Sequence, residues 1–220
     1  NENETVTGYQ CTVYHESDAG AKANLKVTKG SITGNSKTVC DITEEAKLST
    51  GSWITGVRMV DINLDGWPDI YACVAGYPEA GRRKNLLFVN QQNGTFREQA
   101  AAYGLDDEGY STQATWLDYD RDGDLDMYLL THFHDKSNPN VPKPKTVGRS
   151  NGSIDRLYEN RGMGPDGHPL FQEVSEQAGI VHEGYGLGVA VDDFNQDGWP
   201  DIYVSNDFIY DDLLYINQQD

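Results

Sequence analysis

Three stretches of this chain carry oxygen-bearing side chains at a spacing that suits a hard cation. They are Asp61-Ile-Asn63-Leu-Asp65-Gly66-Trp67-Pro-Asp69, Asp118-Tyr-Asp120-Arg-Asp122-Gly123-Asp124-Leu-Asp126 and Asp193-Phe-Asn195-Gln-Asp197-Gly198-Trp199-Pro-Asp201. Each places a carboxylate or amide at positions 1, 3, 5 and 9 and a glycine at position 6. A tight loop with oxygens at alternate positions turns them onto one point, and Ca²⁺ is the common ion that takes about six to eight oxygens. The glycine supplies the positive φ that a sharp reversal needs. Position 7 (Trp67, Asp124, Trp199) then offers its backbone carbonyl. The competing reading is a plain solvated turn, because Asp, Asn and Gly are ordinary turn residues. Three copies in one register favour metal, since each gathers carboxylates that repel one another without a cation. The expectation is about three Ca²⁺ sites.

The elements that hold these loops follow from their flanks. An EF-hand shares the first six residues but needs a bidentate Glu at position 12 and a helix on each side. Position 12 is Ala72, Leu129 and Val204 here, and residues 57–60 and 69–74 are short, apolar and rich in β-branched side chains. The pattern predicts strand, loop, strand, with the acidic loop at a hairpin tip.

A second landmark sets the repeat. Phe96-Arg-Glu-Gln-Ala-Ala-Ala-Tyr-Gly-Leu105 resembles Phe171-Gln-Glu-Val-Ser-Glu-Gln-Ala-Gly-Ile180, and each phenylalanine stands 22 residues before the next Asp loop. The loops themselves start 57 and 75 residues apart, so the extra 18 residues of the middle unit lie between Asp126 and Phe171. Counting back from Asp61 reaches Val39-Cys-Asp-Ile-Thr-Glu-Glu-Ala-Lys-Leu48, which continues the pattern. Residues 8–14 and 24–29 overlie 69–75 and 85–90, and Leu213-Leu-Tyr-Ile-Asn217-Gln-Gln parallels Leu86-Leu-Phe-Val-Asn90-Gln-Gln. The first complete unit holds four strand-like runs, 53–60, 69–75, 85–90 and 95–99, with Asn93-Gly94 as a tight-turn signal before the last. Four antiparallel strands repeated at this period predict an all-β fold, a β-propeller of four-stranded antiparallel blades. The expected division is a partial blade at 1–50 (its strands 2 to 4), a blade at 51–107, a blade at 108–182 with an inserted loop at 133–155, and a partial blade at 183–220. Both ends are thus expected to fall inside a unit, the remaining blades coming from a longer chain.

Twice near-verbatim, Asp-x-Asn-x-Asp-Gly-Trp-Pro-Asp-Ile-Tyr is followed by Leu-Tyr-x-Asn and by Phe-x-Glu-Val-Ser-Glu-Gln-Ala-Gly-Ile. In these motifs residues 39–217 resemble the FG-GAP or VCBS repeats of integrin α-subunit propellers and of bacterial surface and secreted proteins. The resemblance implies a calcium-bearing propeller of seven or eight blades. It also implies that Asp61, Asn63, Asp65 and Asp69, with Asp118, Asp120, Asp122, Asp126, Asp193, Asn195, Asp197 and Asp201, are the side-chain ligands.

Composition narrows the partners. The net charge of −18 over 220 residues argues against nucleic acid or an anionic membrane surface. Three Ca²⁺ would reduce it to about −12. No apolar run has the length of a membrane span, of about 18 residues or more. Cys11, Cys40 and Cys73 permit at most one internal disulfide, and Cys73 lies in an apolar strand pattern as a small buried hydrophobe.

Candidates for catalysis are sparse. The nucleophile-elbow, phosphate-loop and His-Glu-x-x-His patterns are absent from the sequence. His132 and His134 flank Phe133 at the start of the insertion, where two solvated loop histidines are the simpler reading than metal or acid–base work. Arg82-Arg83-Lys84 would suit an acidic partner such as a uronate, but is more simply a solvated loop tip. Trp67 and Trp199 suit sugar stacking, but their recurrence points to packing between blades. The proline-rich insertion is either a recognition loop or plain surface. The functional expectation is a calcium-stabilised, exported propeller, extracellular, cell-surface or periplasmic, that binds protein or glycan without catalysis. The alternative is the propeller portion of a calcium-dependent polysaccharide lyase, which would need basic and tyrosyl side chains around one cavity.

Overall fold

A computed structural model describes residues 9–13, 25–33, 36–133, 141 and 152–219, with side chains from residue 41 onward. The chain forms four antiparallel sheets in sequence order. Sheet A holds β1 (Tyr9–Val13), β2 (Leu25–Thr33) and β3 (Ser36–Asp41). Sheet B holds β4 (Ile54–Val60), β5 (Asp69–Val74), β6 (Leu86–Asn90) and β7 (Phe96–Glu98). Sheet C holds β8 (Ser111–Leu117), β9 (Asp126–Thr131), β10 (Arg156–Met163) and β11 (Pro169–Glu173). Sheet D holds β12 (Gly186–Asp192), β13 (Asp201–Asn206) and β14 (Leu213–Tyr215). Every strand pairs with its sequence neighbour, the outcome expected of short hairpin connections. The one α-helix among the described residues is the single turn α1 (Ala100–Tyr103) after β7.

In sheets B, C and D the second strand is the most buried. β5 and β9 are buried at every position, so both faces are covered and the sheets pack face to face. Tyr71, Cys73, Leu87 and Val89 of sheet B meet Ala114, Met127 and Leu129 of sheet C in one core. Tyr128, Leu130 and Leu157 on the opposite side of sheet C meet Ile202, Val204 and Leu213 of sheet D in the next. Cys73 is 1% exposed, and burial pushes its thiol far above the ordinary range, so it is the small hydrophobe its pattern suggested.

The first strands approach one another most closely. Thr55 Oγ1 donates to Ser111 O at 2.6 Å and Arg58 Nε to Ala114 O at 3.2 Å, crossing from β4 to β8. Gly56 permits this approach, because a Cβ there would stand 2.1 Å from Thr112 O. β4, β8 and β12 each carry a register shift at the same place relative to their Asp loops, between Ile54 and Gly56, Ser111 and Gln113, and Gly186 and Gly188. The repeat therefore extends to a bulge in each first strand.

In sheet A, β2 lies between β1 and β3, with Cys11 opposite Val27 and Cys40 opposite Lys29. Residues 134–140 and 142–151 of the insertion, His134 among them, lie outside the described residues.

Candidate metal sites in the Asp loops

Each Asp loop joins a first strand to a second: 61–68 between β4 and β5, 118–125 between β8 and β9, and 193–200 between β12 and β13. The turn is made by two left-handed residues. Position 6 is glycine with φ of 87°, 98° and 90° at Gly66, Gly123 and Gly198. Position 4 has positive φ too, 55° at Leu64, 60° at Arg121 and 63° at Gln196, which residue type alone did not signal.

Position 9 anchors every loop to the sheet. Asp69, Asp126 and Asp201 are each at most 1% exposed. One oxygen accepts from the position-2 amide: Asp69 from Ile62 N at 3.2 Å, Asp126 from Tyr119 N at 3.0 Å, Asp201 from Phe194 N at 3.0 Å. The other accepts from the amide of an asparagine within or just after the third strand: Asn90 at 2.7 Å, Asn160 at 2.9 Å and Asn217 at 2.8 Å. Each asparagine returns its side-chain amide to the position-8 carbonyl, of Pro68, Leu125 or Pro200. Asn90, Asn160 and Asn217 are thus struts behind the loops, a role the sequence reading did not assign although all three close the Leu-Tyr-x-Asn-like runs.

The outer loops differ from the middle one. In the first, Asp61 accepts from Asp65 N at 3.0 Å and Gly66 N at 2.8 Å, and Asp65 accepts from Trp67 N at 2.8 Å. The last loop repeats this with Asp193 receiving Asp197 N at 2.9 Å and Gly198 N at 2.8 Å. Side-chain amides also reach the position-5 carboxylates, from Gln92 and Asn63 to Asp65 and from Gln219 and Asn195 to Asp197. Those carboxylates are exposed and satisfied by the loop together with Gln92 or Gln219 from beyond the third strand.

In the middle loop Asp118 accepts only from Gly123 N, at 3.2 Å, because the Asp122 amide goes to Asp120 instead. Asp118 Oδ1 and Asp124 Oδ1 are left buried with no hydrogen-bond partner. Asp118, Asp120 and Asp126 bring carboxylate oxygens within 4.8 Å of one another, the single such acidic grouping among the described residues. Oxygens bound to one Ca²⁺ at about 2.3–2.6 Å lie no farther apart than about 5.2 Å, so the spacing fits that ion. Burial, and then the neighbouring carboxylates, pushes Asp124 up to about 6. Asp126 is pushed up to about 7, chiefly by burial, with its two backbone hydrogen bonds opposing, and Asp120 is raised for the same leading reason. Asp69 is raised to about 6, again by burial first. Bare clustered acids are costly here, and a divalent cation is the chemistry that removes the cost.

The other candidates resolve as structure. Arg83 is a correction to the solvated basic tip: it is 7% exposed, its Nε donates to Glu108 O and Gly109 O, and its Nη1 donates to Tyr77 O and Pro78 O. Its guanidinium also lies 4.0 Å over the Tyr110 ring. Arg82 stacks on Tyr77, while Lys84 pairs with Asp106 at 2.7 Å and Glu108 at 3.4 Å. His132 Nδ1 lies 3.2 Å from Gly186 O and its ring leans on Tyr185. Trp199 sits beneath Arg121 of the middle loop, 5.2 Å from its guanidinium, whereas Trp67 is exposed.

A second repeated polar device closes the strand 2–strand 3 connection. Asn85 accepts from Val74 N and donates to Tyr71 Oη; Asp155 accepts from Thr131 N and Tyr128 Oη; Asp212 accepts from Asn206 N and Tyr203 Oη.

Residues 73–129 match the model of the FG-GAP-like repeat. Cartilage acidic protein 1 of Mus musculus is 27% identical over 205 aligned residues, covering 76% of this chain and 31% of that protein. Its Homo sapiens counterpart is 26% identical over the same length, covering 76% of this chain and 30% of its own. The chain thus spans about a third of the length of the curated relatives it matches.

Proposed function

We propose that this chain, which carries an FG-GAP-like repeat, is part of a calcium-stabilised β-propeller that works outside the cell as a non-catalytic scaffold for a protein or glycan ligand. The middle Asp loop carries the reading: its buried, partnerless carboxylate oxygens and its close acidic grouping need a hard cation, and Ca²⁺ has the size and oxygen preference. Fifteen positions would contribute, with Trp67, Asp124 and Trp199 supplying carbonyls and the others side chains.

The ion's role on this reading is to hold the first hairpin of sheets B, C and D closed. Millimolar calcium, as found outside cells, suits the weak affinity of extracellular modules and supports an exported location. At about tenfold excess over Kd each site adds roughly 1.4 kcal/mol, and three add about 4 kcal/mol. The basic side chains that a lyase would recruit are already bound to backbone carbonyls, rings or acids, which favours a scaffold over an enzyme. No helix among the described residues is long and apolar enough to cross a membrane.

The test is a melt with calcium and with a chelator, followed by glycan and protein arrays in both states. A chelator-dependent fall in Tm together with calcium-dependent capture supports the proposal. An unchanged Tm contradicts the calcium role, and turnover of an acidic polysaccharide contradicts the non-catalytic one.

A further inference from the structure

The backbone of Tyr119 stands between the middle Asp loop and the last one and is gripped from both. Its amide donates to Asp126 Oδ2 at 3.0 Å within the middle loop, and its carbonyl accepts from Asn217 Nδ2 at 2.8 Å. Asn217 in turn serves the last loop, donating its backbone amide to Asp201 Oδ1 at 2.8 Å and its side-chain amide to Pro200 O at 3.3 Å. An unbroken run of hydrogen bonds thus links the buried anchors Asp126 and Asp201 across the junction of sheets C and D. A second bridge lies nearer the tips, where Arg121 at position 4 of the middle loop holds its guanidinium 5.2 Å from the ring of Trp199 at position 7 of the last.

The junction of sheets B and C is built differently. Positions 4 and 7 there are Leu64 and Asp124, which offer neither a cation nor a ring. The side-chain amide of Asn160 reaches Leu125 O at 3.4 Å, behind the loop of its own sheet, and among the described residues it makes no hydrogen bond to the first loop.

We propose that Tyr119, Asn217 and Arg121 couple the middle and last loops, so that a divalent cation taken up by one raises the affinity of the other, while the first loop fills on its own. The inference rests on the calcium reading above and concerns how the sites act on one another. An ion on Asp126 fixes that carboxylate in its charged form and strengthens the bond from Tyr119, which holds Asn217 and, through it, Asp201. Part of the ordering that the second ion requires is then already complete, and this makes the coupling positive. Repulsion between the ions does not cancel it, because the middle loop carries five carboxylates and stays negative after binding one divalent ion.

The experiment titrates the metal-free chain with Ca²⁺ while following the amide NMR signals of Gly66, Gly123 and Gly198, one reporter in each loop. Disabling the middle loop by Asp118→Asn should move the Gly198 midpoint to at least about fivefold higher calcium and leave the Gly66 midpoint in place. Gly66 is the internal control: its loop neighbours the middle one on the other side, and a general change of field would move both reporters. In an Arg121→Ala background, which keeps every proposed ligand, the effect of Asp118→Asn on Gly198 should shrink by at least about twofold. Equal movement of Gly66 and Gly198, a Gly198 midpoint untouched by Asp118→Asn, or an effect undiminished in Arg121→Ala would overturn the coupling while leaving calcium binding intact. Three glycine signals that ignore millimolar calcium would contradict the calcium reading itself, and the coupling with it.

Discussion

The middle and outer Asp loops share backbone, glycine and anchor, yet they solve the problem of acidic crowding differently. The outer loops use Asn63 and Asn195 at position 3, and their exposed carboxylates accept hydrogen bonds from backbone amides and from glutamine and asparagine side chains. The middle loop has Asp120 at that position and a further acid, Asp124, at position 7, and it leaves two buried oxygens without partners. The lesson is that one loop geometry can satisfy its carboxylates by hydrogen bonds or leave buried carboxylate oxygens without partners according to two side chains. Ligand charge then sets an order, with the middle site expected to bind Ca²⁺ most tightly.

Removal of the anchor gives the largest expected effect and tests what the loops share. Asp126→Ala strands the Tyr119 and Asn160 amides in the interior and should cost about 3–5 kcal/mol in urea denaturation with calcium present. Asp69→Ala should cost a similar amount, because Ile62 and Asn90 are left alike. A much smaller loss at either position would break the common-anchor account.

A pH series sharpens the contrast between sheets. Asp155 of sheet C stands where sheet B has Asn85, and burial pushes its carboxyl up to about 6 against the hydrogen bonds from Thr131 and Tyr128. Unfolded, it titrates near the ordinary carboxylate value of about 3.9. The folded state therefore holds the proton more tightly, so the contribution is fully present below about pH 4 and is lost as pH rises through about 6, by up to roughly 3 kcal/mol. Asp155→Asn, copying sheet B, should remove that slope between pH 4 and 7, read as the difference in urea midpoint between variant and parent. Parallel curves for the two proteins would contradict the assignment.

Asp118→Asn breaks the comparison most selectively. Without calcium it removes a poorly partnered charge from an acidic cluster and should stabilise the protein by about 1 kcal/mol; with calcium it should destabilise it by a similar amount. Asp61→Asn, whose parent carboxylate is already satisfied by two amides, should lose stability under both conditions. Chelator melts of the two variants check this, and identical behaviour would erase the distinction drawn between the loops. The smallest effect is expected for Arg121→Ala, which removes the guanidinium over Trp199 and should cost about 0.5–1 kcal/mol in the same melts.

Much of this was legible in the sequence because the determinants are local. Asp, Asn and Gly at fixed spacing gave the loops, alternating β-branched flanks gave the hairpins, and the Phe96 and Phe171 landmarks gave the register of the repeat. What escaped depends on distances the sequence does not hold constant. The strut asparagines stand 21, 34 and 16 residues after their position-9 partners, because the strand 2–strand 3 connection varies in length. Arg83 looked solvated beside two charged neighbours, but the fold brings four carbonyls from two segments around it, and a long side chain can then bury its head. The exposure of Trp67 and the cover over Trp199 differ for a similar reason: Arg121, contributed by a neighbouring sheet, reaches one and not the other.

The central claim is that the Asp loops hold calcium, and equilibrium titration of the metal-free chain with Ca²⁺ tests it most directly. The account predicts saturable uptake of about three ions per chain at or below millimolar concentration, with one ion lost in Asp118→Asn. Failure to bind at that concentration, or an unchanged count in the variant, would contradict it.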